Sequence, residues 1–150
     1  MKVSLSWIKE YVPVDLAPDE IASKLTMAGL EVDAVENLYD YLNGVVVAQV
    51  LDVKKHPKAD KLTCCAVDTG AGEPVQIVCG APNVRQGMLS ACALPGVVLP
   101  GELKIKKSKL RGVVSEGMLC SAAELLLDTD ASGIMDIAGD HVPGTPLEKA

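Results

Sequence analysis

Between Asn43-Gly44 and Leu127 the chain is cut into short β-prone runs by closely spaced turn formers. These are His56-Pro57, Gly70-Ala71-Gly72, Ala81-Pro82-Asn83, Pro95-Gly96 and Pro100-Gly101. The intervening runs predict strands over Val45–Val53, Leu62–Asp68, Val75–Cys79, Met88–Leu94, Lys109–Val113 and Gly117–Cys120. In the first of them Val45, Val47, Leu51 and Val53 are expected on one face. Many short strands with a single helix behind them predict a small closed barrel.

The five-stranded OB architecture fits the length of this stretch. Ser121-Ala122-Ala123-Glu124 reads as a capping box opening a short closing helix, which gives Ser121 and Glu124 a structural task. Ahead of the barrel, Ser6–Tyr11 reads as a helical turn. Pro18 suits the first position of a helix, with Asp19 and Glu20 in its first turn, Ile21, Leu25 and Ala28 at helical spacing, and Gly29 ending it. Glu31–Leu38 is expected as a strand. Past the barrel, Asp128–Gly133 reads as an acidic loop, Ile134–Ile137 as one short strand and Gly139–Pro146 as loop. These flanks hold too little apolar material for a core of their own. The expected organisation is therefore mainly β with small α+β flanks. Residues 1–43 are the first part of a helix-and-strand lobe, 44–127 an inserted OB-type five-stranded barrel, and 128–150 the start of the lobe's return segment. On this reading the chain is a fragment of a longer protein.

Charge separates the same three regions. The chain carries a net −6, yet residues 1–39 hold three Lys/Arg against seven Asp/Glu and residues 128–150 hold one against five. Residues 40–127 hold ten against eight, a net of +2. Inside that middle the bases gather as Lys54, Lys55, Lys58 and Lys61, then as Lys104, Lys106, Lys107, Lys109 and Arg111. A single basic run is commonly a solvated face or a guard on an edge strand. Two runs in one domain, joined by strands able to bring them together, point to an anion-binding surface.

No constellation supports catalysis. His56 and His141 each sit beside loop formers, and sequence does not place His56 next to Cys120 as a nucleophilic pair. Adjacent Cys64 and Cys65 lack metal-ligand spacing, so no metal site is expected with His56. The five cysteines are odd in number, lack a CxxC pair and fall mostly in apolar runs, which suits free thiols in a reducing cytosol. Gly70-Ala71-Gly72 lacks the Lys and the strand–helix setting of a phosphate loop. No apolar run approaches the ~18 residues of a membrane span, and no leader segment is expected.

Aromatic residues refine the binding class. Trp7, Tyr11, Tyr39 and Tyr41 all precede the barrel. Barrels that bind single strands indiscriminately stack bases on aromatic rings, each worth roughly 1–3 kcal/mol. A barrel without rings must rely on phosphates, polar groups and shape, which favours structured RNA.

At this point several blocks resemble a known family. His56-Pro57-Lys58-Ala59-Asp60-Lys61-Leu62, Ile77-Val78-Cys79-Gly80-Ala81-Pro82-Asn83-Val84, and Ala93-Leu94-Pro95-Gly96 with Leu99-Pro100-Gly101 are similar to the tRNA-binding OB domain shared by synthetases and associated factors. Lys109-Leu110-Arg111-Gly112-Val113 and Ser115-Glu116-Gly117-Met118-Leu119-Cys120-Ser121 extend the likeness. Met1-Lys2-Val3-Ser4, Trp7 and Thr26-Met27-Ala28-Gly29-Leu30-Glu31-Val32 resemble the N-terminus of the bacterial phenylalanine–tRNA ligase β-subunit family. One departure is visible: Glu124-Leu125-Leu126 stands where the family usually has Glu-Leu-Gly, which predicts a longer closing helix.

The resemblance implies an α2β2 ligase that attaches phenylalanine to its tRNA with ATP and magnesium. Its catalytic site lies on the α subunit, and editing and anticodon contact lie in later β-subunit domains. This chain is then an auxiliary, cytoplasmic tRNA contact that holds no catalytic residue, cofactor or metal of its own and touches no membrane. Its partners are tRNA, the rest of the β subunit and the α subunit. Lys54, Lys55, Lys58, Lys61, Lys104, Lys106, Lys107, Lys109 and Arg111 are the candidate phosphate contacts. Asn83, Ser115 and Glu116 match family loop positions and are candidate polar contacts. Met118 reads as core. Two alternatives stay open: a free-standing dimeric tRNA-binding or chaperone-like barrel, and a purely structural module packed on the enzyme.

Overall fold

A computed structural model describes residues 1–150, which separate into two units, Met1–Leu38 and Tyr39–Ala150. In the first unit, α1 (Leu5–Lys9) starts where Ser4 Oγ accepts the Trp7 N–H at 3.4 Å. The second helix, α2 (Pro18–Met27), has Glu20 accepting the Ala17 N–H at 3.2 Å. It stops at Gly29 as expected: the Gly29 N–H donates to Thr26 O and the Leu30 N–H to Leu25 O, satisfying carbonyls the helix leaves open. Glu31–Leu38 forms no strand, because a strand persists only in a ladder and no segment of this unit pairs with it. No residue of this unit is buried; Met27 and Leu30 are 86% and 64% exposed.

The second unit is built on one antiparallel sheet of five strands in the order β3-β2-β1-β4-β9. Their spans are β1 Val45–Lys55, β2 Thr63–Asp68, β3 Val75–Cys79, β4 Leu89–Ala93 and β9 Met118–Leu119. Long β1 serves two neighbours: Val45–Gln49 pairs with β4 and Gln49–Lys55 with β2. Between Val50 and Asp52 the register with β2 slips by one residue. The bulge leaves Leu51 over and turns it outward, which corrects the expected common face of Val45, Val47, Leu51 and Val53. Past a one-residue slip, the alternation of faces reverses.

Both faces of the sheet are buried where β1 meets β4. The inner layer takes side chains from all five strands, among them Ala48, Val50, Cys65, Val67, Ile77, Cys92 and Leu119. This is the interior of a nearly closed barrel. The outer layer holds Val45, Val47, Ala91 and Ala93, covered by Leu99, Ile105, Leu125 and Leu147.

Two small hairpins complete the wall. β5 (Val98–Leu99) pairs with β6 (Leu103–Lys104), and β7 (Ser108–Leu110) with β8 (Val113–Ser115). The single strand expected over Lys109–Val113 is thus the turn of a hairpin. Arg111 and Gly112 form its two-residue loop at φ 47° and 95°, the left-handed pair that matches the twist of adjoining strands. Ser115 helps close the barrel: its buried Oγ accepts the Val78 N–H and donates to Gly117 O, both at 3.0 Å.

The capping box forms, but the closing helix does not. Ser121 N–H donates to Glu124 Oε2 at 2.7 Å and Glu124 N–H to Ser121 Oγ at 3.2 Å. One turn later Leu126 adopts φ 51°, with its N–H on Ala123 O and the Leu127 N–H on Ala122 O. That is a helix C-terminal motif laid directly over the N-terminal one. Leu126 therefore ends the turn instead of lengthening a helix, taking the conformation a glycine would take there.

Residues 133–147 lie against the barrel without forming the short strand expected at Ile134–Ile137. Met135 N–H donates to Cys120 O, Ile137 N–H to Leu89 O and Gly144 N–H to Val47 O.

Candidate nucleic-acid interface

The first basic run begins at the end of β1 and continues through a tight loop. Lys54 pairs with Asp52 at 2.9 Å, and its hydrogen bond holds that carboxyl below its ordinary pKa. Lys55 is exposed at the last pair of the β1–β2 ladder, opposite Thr63. The loop is closed by His56 N–H to Leu62 O at 3.0 Å and Leu62 N–H to Ala59 O at 3.2 Å, which leaves Lys58 and Lys61 exposed on it.

The second run is threaded on the two hairpins. Ile105 is its anchor: buried in the outer layer, it donates to Val97 O at 2.8 Å and accepts from Gly96 N–H at 2.9 Å. Lys104 and Lys106 flank it and are exposed, as alternation about one buried residue requires. Lys107 forms an ion pair with Glu116. Lys109 sits on β7, whose residues are all exposed, and Arg111 occupies the hairpin tip. The partner strand β8 is tied to β3 by Gln76 Nε2 donating to Val114 O at 2.7 Å and Glu116 N–H to Gln76 O at 2.8 Å. Lys104, Lys106 and Ser108 also line an open groove of about 920 Å³ whose other walls include Gly80, Pro82 and Glu124.

His56 brings the two runs to one place. The residue is buried, 5% exposed. Nε2 lies 3.1 Å from Leu110 O at the end of β7, and Nδ1 accepts the Lys58 N–H at 3.1 Å. The Lys58 ammonium then stands 3.8 Å from where a Cβ on Gly112 would be, beside the Arg111 tip. With both nitrogens engaged by backbone, this imidazole is a structural link between the two segments. In the sequence His56 stands beside loop formers inside one basic run, and its partner Leu110 is 54 residues away.

The three candidate polar residues hold protein partners. Asn83, in the loop after β3, bonds the backbone of Ile134 through both ends of its amide. Ser115 is buried at the barrel closure, and Glu116 is paired with Lys107. The five cysteines are free thiols, and burial pushes those of Cys92 and Cys120 up to about 12. Met118 packs against the outer layer. No helix is long and apolar enough to cross a membrane.

The family described as "Putative tRNA binding domain" matches residues 45–146. The chain is 50% identical over 147 residues to the phenylalanine–tRNA ligase beta subunit of Methylococcus capsulatus, covering 98% of this chain and 19% of that protein. It is 52% identical over 147 residues to the same subunit of Syntrophotalea carbinolica, covering 98% and 18%. The chain thus spans about a fifth of the length of these curated relatives. Among solved structures, the MetRS related protein from Pyrococcus horikoshii shares the fold with a TM-score of 0.53 at 19% identity, over 76% of this chain and 98% of that one.

Proposed function

Because the chain belongs to this tRNA-binding domain family, we propose that it serves as the tRNA-binding module of a phenylalanine–tRNA ligase β subunit and grips tRNA through phosphates. The observation that carries the electrostatic part is the junction at His56, which sets Lys58 beside the Arg111-Gly112 tip. Lys54, Lys55, Lys58, Lys61, Lys104, Lys106, Lys107, Lys109 and Arg111 are the proposed phosphate contacts. Asn83, Ser115 and Glu116 are proposed beside them as polar contacts; the bonds of Asn83 and Ser115 to backbone and the Glu116–Lys107 pair support a part in shaping the surface the cations occupy. Without rings to stack on, binding is weak and mostly ionic. If about 4–6 phosphates are engaged, log K falls with log salt at a slope of roughly −3 to −5.

In the whole ligase this reading places phenylalanine attachment with ATP and magnesium, an α2β2 assembly with the α subunit, and a cytoplasmic location. It assigns none of the catalytic residues to this chain. It also treats residues 1–43 and 128–150 as the two sides of a lobe that the barrel interrupts; support comes from residues 1–38, which bury nothing by themselves, whereas residues 133–147 lie against the barrel.

The test is a fluorescence titration with tRNA at three salt concentrations. Lys106→Glu combined with Lys109→Glu is expected to weaken binding to all tRNAs alike and to flatten the slope, since phosphate contacts carry no sequence information. Unchanged binding in that variant, or an affinity independent of salt, rejects the mechanism and favours a structural module.

A further inference from the structure

The hydrogen bonds around His56 determine its chemical form. Lys58 N–H can only donate, so Nδ1 must present a lone pair; Leu110 O can only accept, so Nε2 must carry the proton. Two backbone groups from different basic runs thus set one ring nitrogen as acceptor and the other as donor. On one side the ring grips the Lys58–Lys61 loop. On the other it grips the end of β7, a strand that buries no side chain of its own. Buried between them, the imidazole is a strut of fixed length.

We propose that His56 is a positioning residue that holds the two basic runs as one rigid surface, so that a tRNA backbone meets both at once. The inference rests on the tRNA-binding reading above and adds to it the part that makes two weak clusters act together. Two clusters fixed in register bind as one multivalent site; two clusters free to move must be ordered each time. Histidine suits the task because its two ring nitrogens point apart, one accepting and one donating, across a body that cannot bend.

The test titrates the chain and its variants with an in vitro transcribed tRNA over a range of salt and follows thermal melting of each. His56→Asn keeps an acceptor for the Lys58 N–H but is too short to span to Leu110. His56→Gln keeps an N–H long enough to reach it. The Asn variant is expected to bind about tenfold more weakly, with a slope shallower by about 1.5–2.5, the share of two or three phosphates. The Gln variant is expected to keep most of the slope. An Asn variant with an unchanged slope overturns the proposal, and so do Asn and Gln variants that lose slope alike.

Should the Asn variant fail to fold, Lys58→Gln and Lys109→Gln decide in the otherwise unaltered chain. Runs that grip together make each substitution weaken binding, and the double variant weakens it by the product of the two. Runs that bind separately leave affinity unchanged when the weaker one is altered, and the proposal falls. Lys106→Glu with Lys109→Glu, measured alongside, separates the two levels. No effect there sinks the tRNA reading itself, whereas weakening there with a silent His56→Asn sinks only the strut.

Discussion

Asn83 and Ile134 exchange two hydrogen bonds: the side-chain amide N–H donates to Ile134 O at 2.8 Å and the Ile134 N–H to Asn83 Oδ1 at 2.9 Å. A side chain here copies what a neighbouring strand would do. Arg85 and Asp136 add an exposed ion pair at 2.7 Å beside it. Asn83→Ala should cost about 2–3 kcal/mol, since it leaves a partly buried donor and acceptor without partners. Gly133→Ala should act in the same direction, because a Cβ there would stand inside van der Waals reach of Asn83 Oδ1. Hydrogen exchange at Ile134 and Met135 is the measurement; protection that survives both changes would show that the segment is held by something else.

Leu126 predicts a gain. It lies at φ 51° and is 69% exposed, so its side chain contributes little while its backbone is in the left-handed region. That conformation costs a non-glycine residue roughly 1–2 kcal/mol, against which glycine gives back about 0.5–1 kcal/mol of chain entropy. Leu126→Gly should therefore stabilise the chain by about 0.5–1 kcal/mol in urea denaturation. A loss would mean that Leu126 makes apolar contacts that outweigh its backbone.

Two buried serines should respond with opposite signs. Ser115 serves both Val78 N–H and Gly117 O, whereas the Ser90 hydroxyl, fully buried on β4, has no partner. Ser115→Ala is expected to destabilise by about 2–3 kcal/mol, and Ser90→Ala to be neutral or stabilising by about 1 kcal/mol. Equal effects would contradict the assigned bonding.

Alkaline pH should weaken the fold through Cys92 and Cys120, held up to about 12 chiefly by burial. Unfolded thiols ionise near about 8.5. Between these values the folded chain keeps protons that the unfolded chain releases, so stability is complete below about pH 8.5 and declines as pH rises. Each thiol contributes a slope of about 1.4 kcal/mol per pH unit in that window. Denaturation midpoints at pH 8 and pH 10 test this, and Cys92→Ala or Cys120→Ala should make the decline visibly shallower. A midpoint that does not move with pH would refute it.

Features encoded by neighbouring residues were legible in the sequence. Pro18, Glu20 and Gly29 bound α2 because helix ends are written locally. The strand runs were found where turn formers isolate them. What escaped depends on residues far apart in the chain. The slip at Leu51 is a property of the β1–β2 ladder, which apolar alternation in β1 cannot show. The hairpin at Arg111-Gly112 was hidden because arginine is a poor turn former and only Gly112 marks the bend. The basic runs were visible as composition, but their meeting at His56 needs the barrel to close first.

Leu42, just ahead of β1, and Leu147, near the far end of the unit, share one apolar layer, and Val46 bridges to Pro146 beside them. The places where the polypeptide enters and leaves this barrel are therefore next to each other. A domain with such a doorway can be spliced into a surface turn of another polypeptide with little change in the separation of the two cut ends. Joined instead to one another by a short linker, those ends would tolerate reopening elsewhere, and the exposed Ala71-Gly72-Glu73 turn between β2 and β3 is a natural place to cut. A circular rearrangement of this kind should fold to the same barrel, since what holds it together does not depend on where the chain starts.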